Sequence, residues 1–442
     1  MEEAQYERLE TADASLNAED DYKGAEVGVF AATANIANVV IGAGVLALPF
    51  AYARSGTVGG PLLVVFSGCL NIFTMSLLSA AGRKIAGRRA NFHAIAAATL
   101  PARLWWLVDA IVCVMMLGLA ASYVIVFGNL CSVATKAMLT GAPRAARVLF
   151  GSRQAWVTVA VVVVAPMAYQ KSLDLLKYTS TLGIIFMLYV AALVAASWAD
   201  ESAVQPCIDD EKDGVAHCGG AVDLFSVNLG TLEALSLSTF SYTAQTQVPD
   251  VANALRDYTQ ARMDACVTMS VVLCAALYCL IGHAGFETFG TTVNSDLLES
   301  YHASAEVSVA RFAISFVVSF SYPLMCMPFR NSSKSLLENQ TAAPNVAHYV
   351  KHHPNRYHYA SSTFFIAFTY VVALFVSDLG IILSLIGATA ATAIAYVIPS
   401  VAYVSAFKDD PTTLTKRRAA TVVGAYGLFV MPFCVASTFI KT

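Results

Sequence analysis

The sequence predicts an all-α polytopic membrane protein, on three observations: its composition, the spacing of its apolar runs and the uneven placement of its basic residues. Of the 442 residues, 57% are hydrophobic and only 13% are charged, a balance too apolar for a soluble enzyme with one anchor. Apolar stretches of about 20 residues, the length that crosses a hydrocarbon core, give about 11 transmembrane helices. Their approximate bounds are 30–53, 60–82, 104–135, 154–170, 174–198, 224–246, 262–286, 304–328, 360–378, 380–405 and 417–438. With the N-terminus cytoplasmic, 19 Lys and Arg fall on the inner side and seven on the outer, with Arg311 inside a span. That asymmetry sets the N-terminus inside and, for an odd number of spans, the C-terminus outside.

Taken in order, residues 1–29 read as a disordered acidic cytoplasmic tail, since residues 1–26 hold nine Asp or Glu against Arg8 and Lys23 and few large apolar side chains. The start Met1-Glu2-Glu3 has no basic region followed by an apolar one, so the first span is expected to direct membrane insertion. Residues 30–442 form the transmembrane domain. The first span carries Gly42-Ala43-Gly44 and Pro49 where a helix should be continuous. Breaking a helix inside hydrocarbon strands peptide groups at several kcal/mol each, so the break points to a binding site at mid-membrane. The third span is too long for one perpendicular crossing and is expected to tilt or project. Only Ser377-Asp378-Leu379-Gly380 separates the ninth from the tenth.

The 199–223 segment is expected as an outer loop and 329–359 as an inner loop. Cys207 and Cys218 are the only cysteines in a polar loop, where a disulfide is plausible if that loop is extracytoplasmic; the others pack as small hydrophobes. The sequons at Asn331 and Asn339 then face the cytoplasm, unused. No C-x-x-C or metal-like His/Cys spacing occurs, so no metal site or cofactor is expected. Nucleic acid is not a partner of so apolar a chain. A membrane enzyme lacks paired catalytic residues here, and a channel lacks a filter-like repeat or charge ring.

Several stretches resemble the amino acid/auxin permease family, which includes sodium-coupled neutral amino acid transporters and protozoan amino acid permeases. They are Asn35 through Pro49, Leu176-Lys177-Tyr178-Thr179-Ser180, Phe240-Ser241-Tyr242-Thr243-Ala244-Gln245, Gly285 through Gly290 followed by Asn294 through Leu298, and Pro323 through Arg330. They stand in family order over residues 30 to 330. The resemblance implies a 5+5 inverted repeat with discontinuous helices 1 and 6, plus an eleventh helix, and a substrate held where helices 1 and 6 unwind.

Each candidate site residue has a functional and a structural reading. Freed N–H groups around Gly42, Ala43 and Gly44 could receive a substrate carboxylate, with glycine needed for unusual φ and close approach; the alternative is tight helix packing. Ser238, Thr239, Phe240 and Tyr242 could line a polar cavity and offer carbonyls to an ammonium, or pack as ordinary interhelical polar contacts. Glu233 is an intramembrane carboxylate: it could select cationic substrates, carry a proton, or sit solvated at the outer headgroups. Asn38 lies one turn before Gly42 and, with Ser319 and Ser321, matches positions that the resemblance implies for a sodium site; singly, each could be an interhelical hydrogen bond. Arg311 is expected to pair with Glu306 or Glu299. His348, His352, His353 and His358 read as solvated, and Asp109 as lying at the inner interface.

The function expected is secondary active amino acid transport by alternating access, coupled to Na⁺ or H⁺ without catalysis. The alternative is an amino-acid-binding sensor without net flux. Expected partners are the amino acid substrate and the lipid bilayer. The chain is expected as a monomer, in a plasma membrane in preference to a vacuolar or lysosomal one.

Overall fold

A chain inserted in hydrocarbon must satisfy its peptide groups internally, and this one does so with helices. A computed structural model describes residues 27–87, 90–101, 104–139, 143, 150–170, 177–199, 220–338 and 344–440. In order, α1 (Val29–Val40) leads through a 3-10 turn (Ala43–Ala47) into α2 (Leu48–Ala86), followed by α3 (Phe92–Thr99), α4 (Trp105–Met138), α5 (Arg153–Ala168) and α6 (Lys177–Ala199). Then come α7 (Leu229–Ser241), a 3-10 turn (Gln245–Gln247), α8 (Val248–Ala254), α9 (Gln260–Phe289), α10 (Leu297–Ser300) and α11 (Ala305–Glu338). The remainder is α12 (Pro344–His352), α13 (Pro354–Phe375), α14 (Leu379–Ile386), two π-helical turns (Gly387–Ala391 and Ala393–Val397), α15 (Ile398–Ala406) and α16 (Leu414–Phe439). Among the described residues the only β contact is an isolated bridge from Val27 to Leu255.

Helix starts follow local chemistry. The side chains of Asn91, Ser152, Thr259 and Asp378 accept from the backbone N–H groups of Ala94, Ala155, Arg262 and Gly380, each satisfying a donor that has no intrahelical partner. Prolines stand in the first turns of α2, α8 and α13, where the missing N–H costs nothing.

Among the described residues eight helices are long and apolar enough to cross a membrane, fewer than the 11 expected spans. The difference has local causes. The first span is cut after Val40, and the fourth and sixth are the shorter α5 and α7. The second half of the first span and the whole second span are joined in α2, which reverses at Gly56 (φ 88°, ψ 169°). The reversal is visible in packing: the Tyr52 ring lies against Gly60, whereas eight residues of straight helix would separate them by about 12 Å. The segment 223–226 closes over this bend, Thr57 and Val58 N–H donating to the carbonyls of Asp223 and Leu224.

The helices fall into two packing groups. α9 and α7 both pack extensively on α2, and α1 runs along α9, while α11 packs most extensively on α4 and also touches α5 and α13. The α1–α9 seam is parallel. Ser270 Oγ donates to Thr33 O at 2.7 Å and Tyr278 Oη to Val40 O at 2.6 Å, with Cys266 and Cys274 thiols facing Val29 O and Ala37 O between and before them. The end of α9 therefore lies at the face of the bundle opposite Val27.

Asp109, expected at the inner interface, is 2% exposed and lies 3.1 Å from His93, whose side chain is half exposed. Two expectations change. Arg311 does not pair with Glu306 or Glu299; it donates to the carbonyls of Leu298 and Tyr301. The expected inner loop is largely helical, because α11 continues past its apolar stretch to Glu338. There Arg330 Nη1 donates to Ala168 O at 2.8 Å, satisfying a carbonyl at the end of α5. The Asn331 sequon is thus part of a regular helix, with Ser333 Oγ bonded to Phe329 O. The acidic tail through residue 26, Cys207, Cys218 and the Asn339 sequon lie outside the described residues.

Gly56→Val is expected to destabilise the protein by about 1–3 kcal/mol or more, because φ is positive and a Cβ would lie 2.8 Å from main-chain atoms of Asp223, Leu224 and Phe225. Thermal unfolding of detergent-purified protein checks this; an unchanged midpoint would contradict the bend.

Candidate functional site

The break in the first span begins at Ile41, whose ψ of 87° leaves the helix, and continues through extended Gly42 (φ −123°, ψ −164°) before Ala43 opens the 3-10 turn. Any residue can adopt that φ, so glycine is not required at 42 for its backbone, contrary to expectation. What Gly42 provides is space: a Cβ there would meet nothing within 4 Å. Gly44 is different, since a Cβ would lie 2.8 Å from Ser241 Oγ and 3.2 Å from the Phe240 ring. Glycine at 44 lets the turn touch the end of α7. Among the described residues, no main-chain acceptor receives the N–H groups of Gly42, Ala43 or Gly44, which leaves three donors at the positive end of a short helical turn.

α7 ends opposite this turn. The hydroxyls of Ser236, Thr239, Ser241 and Thr243 bond back to the carbonyls of Leu232, Leu235, Leu237 and Thr239, a pattern that weakens and bends helices. Regular helix stops at Ser241; Tyr242 and Thr243 N–H close tight turns onto Thr239 O and Phe240 O, and a 3-10 turn follows at Gln245. Both breaks free carbonyls, and one side chain reaches them. Tyr278 Oη lies 2.6 Å from Val40 O and 2.8 Å from Ser241 O, so its single proton is shared between the last carbonyl of α1 and the last of α7. Tyr242 packs beside it, ring centroids 5.0 Å apart.

Of the remaining expected residues, Ser238 is buried and its Oγ has no partner among the described residues, as is true of Tyr242 Oη. Thr239 Oγ1 also lies 3.3 Å from Tyr396 Oη, and Phe240 is buried against Gly44 and Gly387. Glu233 is two turns away toward the opposite face, 3.5 Å from Arg54 Nε and 3.4 Å from Ser384 Oγ; it is an ion-paired, mostly buried carboxylate. Asn38 is half-buried on α1. Ser319 Oγ is bonded to Ser315 O, and Ser321 is half-buried. No hydrogen bond joins Asn38 to either serine among the described residues.

Sequence reasoning missed four participants. Tyr278 is one, and its signal was the i, i+4 series Cys266, Ser270, Cys274, Tyr278, a polar stripe on an apolar helix. The others are Asn71, Gln245 and Tyr396. Gln245 Nε2 donates to Asn71 Oδ1 at 2.7 Å, and Asn71 Nδ2 lies 3.4 Å from Tyr396 Oη, forming a buried polar chain beneath the α7 break. The π-helical turns that carry Tyr396 fit a functional site; Gly387 there approaches Ser236 so closely that a Cβ would collide with its carbonyl oxygen.

Residues 25–442 match the family described as transmembrane amino acid transporter protein. Curated relatives include vacuolar amino acid transporter 5 of Schizosaccharomyces pombe, 27% identical over 93% of this chain and 94% of its own. Vacuolar amino acid transporters 7 and 6 of Saccharomyces cerevisiae are 25% identical over 67% and 57% of the two chains and 23% identical over 81% and 85%, respectively. The expected plasma-membrane location is corrected by these relatives, all named for the vacuole. Span composition could not have shown this, because apolarity places a chain in lipid without specifying which bilayer.

Tyr278→Phe keeps the ring packing and removes the shared proton, so it is expected to cost about 1–3 kcal/mol, read as a lowered unfolding midpoint; no change would mean the two carbonyls find other donors. Gly44→Ala is expected to destabilise more than Gly42→Ala in the same assay, and the reverse order would contradict the contact with α7.

Proposed function

The chain belongs to the transmembrane amino acid transporter family, and on that premise we propose that it carries an amino acid across a vacuolar-type membrane by alternating access. The observation that carries this reading is the pair of facing helix breaks, at Gly42 and after Ser241, tied together by Tyr278. A zwitterion suits that gap. Its carboxylate meets the free N–H groups of Gly42, Ala43 and Gly44, where partial positive charge favours an anion. Its ammonium meets the carbonyls freed where α7 unwinds, beside Ser238, Thr239 and Tyr242.

Movement is between the two packing groups. The seam of Ser270 and Tyr278 holds α1 to α9, and the shared proton holds α1 to α7, so α1, α2, α7 and α9 rock as one body against α4, α5, α11 and α13. Na⁺ or H⁺ supplies the driving force; Asn38, Ser319 and Ser321 are the oxygen donors proposed for Na⁺. Glu233, paired with Arg54 on the path toward the opposite face, favours cationic substrates when that pair opens.

Uptake of neutral, cationic and acidic amino acids into proteoliposomes, with and without Na⁺ at two pH values, tests the proposal. Flux of at least one class is expected; binding without flux would establish a sensor instead. Gly42→Val, filling the open space, is expected to reduce uptake at least tenfold while the protein still accumulates in the membrane, and full activity would contradict the site. Glu233→Gln is expected to weaken cationic substrates selectively, and equal loss for neutral ones would refute the vestibule role.

A further inference from the structure

At the face opposite Val27, the segment between α9 and α11 buries a carboxylate that, among the described residues, has no counter-ion in direct contact. Asp296 is 1% exposed. Its Oδ1 accepts from Leu298 N–H at 3.0 Å, and its Oδ2 is buried with no partner among the described residues. Arg311, 0% exposed, is the nearby cation, yet its Nε and Nη2 are committed to the carbonyls of Leu298 and Tyr301, and its Nη1 has no partner among the described residues. An orphaned carboxylate oxygen in such a place costs several kcal/mol by rough measure. Something must satisfy it.

We propose that Asp296 is the proton-binding site of this transporter, its free Oδ2 taking up one proton from the aqueous phase at the face opposite the N-terminus. This rests on the transport reading above and names the ion. Protonation converts a carboxylate of charge −1 into a neutral acid, with no other bond made or broken. The surroundings favour H⁺ over a metal cation. The charges acting on Asp296 are Glu299 and Arg311; the guanidinium opposes any added positive charge, so the choice rests on ligand number, since one free carboxylate oxygen binds a proton but cannot supply the several oxygen ligands that a hard cation takes. Further out, Glu299 Oε1 accepts from Asn129 Nδ2 on α4 at 2.6 Å, Arg153 on α5 donates to the same Asn129 and to Val376 O, and Asp378 caps α14. The 3-10 turn Ala43–Ala47, which also packs on α10, bears no ionisable side chain. Counting Asp296, Glu299 and Asp378 against Arg311 and Arg153 leaves one excess negative charge, which one proton neutralises. Burial pushes the Asp296 carboxyl well above the usual carboxylate range and the Glu299 charge pushes the same way, outweighing the Leu298 N–H bond and the Arg311 charge that pull it down, so the proton is held at pH values where an ordinary aspartate has lost it.

The site is mechanically connected to the first-span break. A Cβ on Gly285 would lie 2.7 Å from Pro49 Cγ and 3.0 Å from Leu297 Cδ1, and one on Gly380 would lie 3.0 Å from Ser295 Cβ and 3.4 Å from Phe50. The residues flanking Asp296 thus share two glycine seats with the residues that follow the unwound turn. A charge change at Asp296 reaches the substrate site through those contacts.

The test uses full-length protein in proteoliposomes containing a pH-sensitive dye. Wild-type uptake is expected to move about one proton per amino acid and to vary by up to tenfold per pH unit on one limb. Asp296→Asn is expected to keep amino acid exchange but lose proton movement, with a pH profile flattened to less than about twofold per unit. Glu306→Gln, removing an exposed carboxylate on the same face, should leave both intact. Should the Asn variant fail to accumulate, Asp296→Glu decides: a displaced pH midpoint is expected, and an unchanged one overturns the assignment. Proton movement that persists in Asp296→Asn, or wild-type amino acid flux without protons, also overturns it. Absence of wild-type flux under every condition would instead remove the transport reading on which it rests.

Discussion

One hydroxyl holds the centre of this protein together. Two helices are interrupted inside hydrocarbon, and each interruption leaves carbonyls that lipid cannot satisfy. Tyr278 Oη stands within hydrogen-bond distance of Val40 O and Ser241 O at once, so the two defects stabilise each other through a third helix. The N–H groups on the other side of the first break have no such partner among the described main-chain groups. The Val40 and Ser241 carbonyls are tied down while those donors are left free, and the carboxylate site proposed above rests on that asymmetry.

The rest of the bundle serves this arrangement. Packing of α7 and α9 on α2, and of α1 on α9, gathers both breaks into one packing group, while α4 and α11 form the core of the other. Polar chemistry extends from the gap in two directions. Beneath the α7 break runs the chain of Gln245, Asn71 and Tyr396, and toward the opposite face lie the Arg54–Glu233 pair and the buried Asp296–Arg311 cluster. Buried charge on this scale is expensive where it contributes only to stability, since apolar side chains of equal volume would do as well or better. Its presence at one face fits a device that responds to ions.

Much of this was legible in the residues. Apolar run length gave the all-helical class, and Gly42-Ala43-Gly44 gave the first break, because a glycine pair and a proline inside an apolar run have few structural uses. The second break was implied by the family resemblance, and the crowded hydroxyls of that stretch were read as lining a polar cavity or as interhelical contacts. Sequence reasoning erred where it assigned causes. Gly42 keeps an ordinary φ and leaves space, and Gly44 is the residue held by contact. Arg311 faced two acidic neighbours in sequence but bonds to carbonyls, since a guanidinium inside a turn serves the nearest unsatisfied acceptors whether or not they are charged.

The sequence by itself determined that the chain lives in lipid, that it is helical, and that its first span is interrupted, which follow from composition and local backbone chemistry acting over a few residues; the interruption of the sixth span was implied only by the family resemblance. Only the tertiary structure decided that the interruptions face each other, that a tyrosine 37 residues from Ser241 and 238 from Val40 joins them, and that Asp296 is left with an unanswered oxygen. Those facts depend on which helices become neighbours. Neighbourhood is set by packing over the whole bundle, and no short stretch of sequence records it.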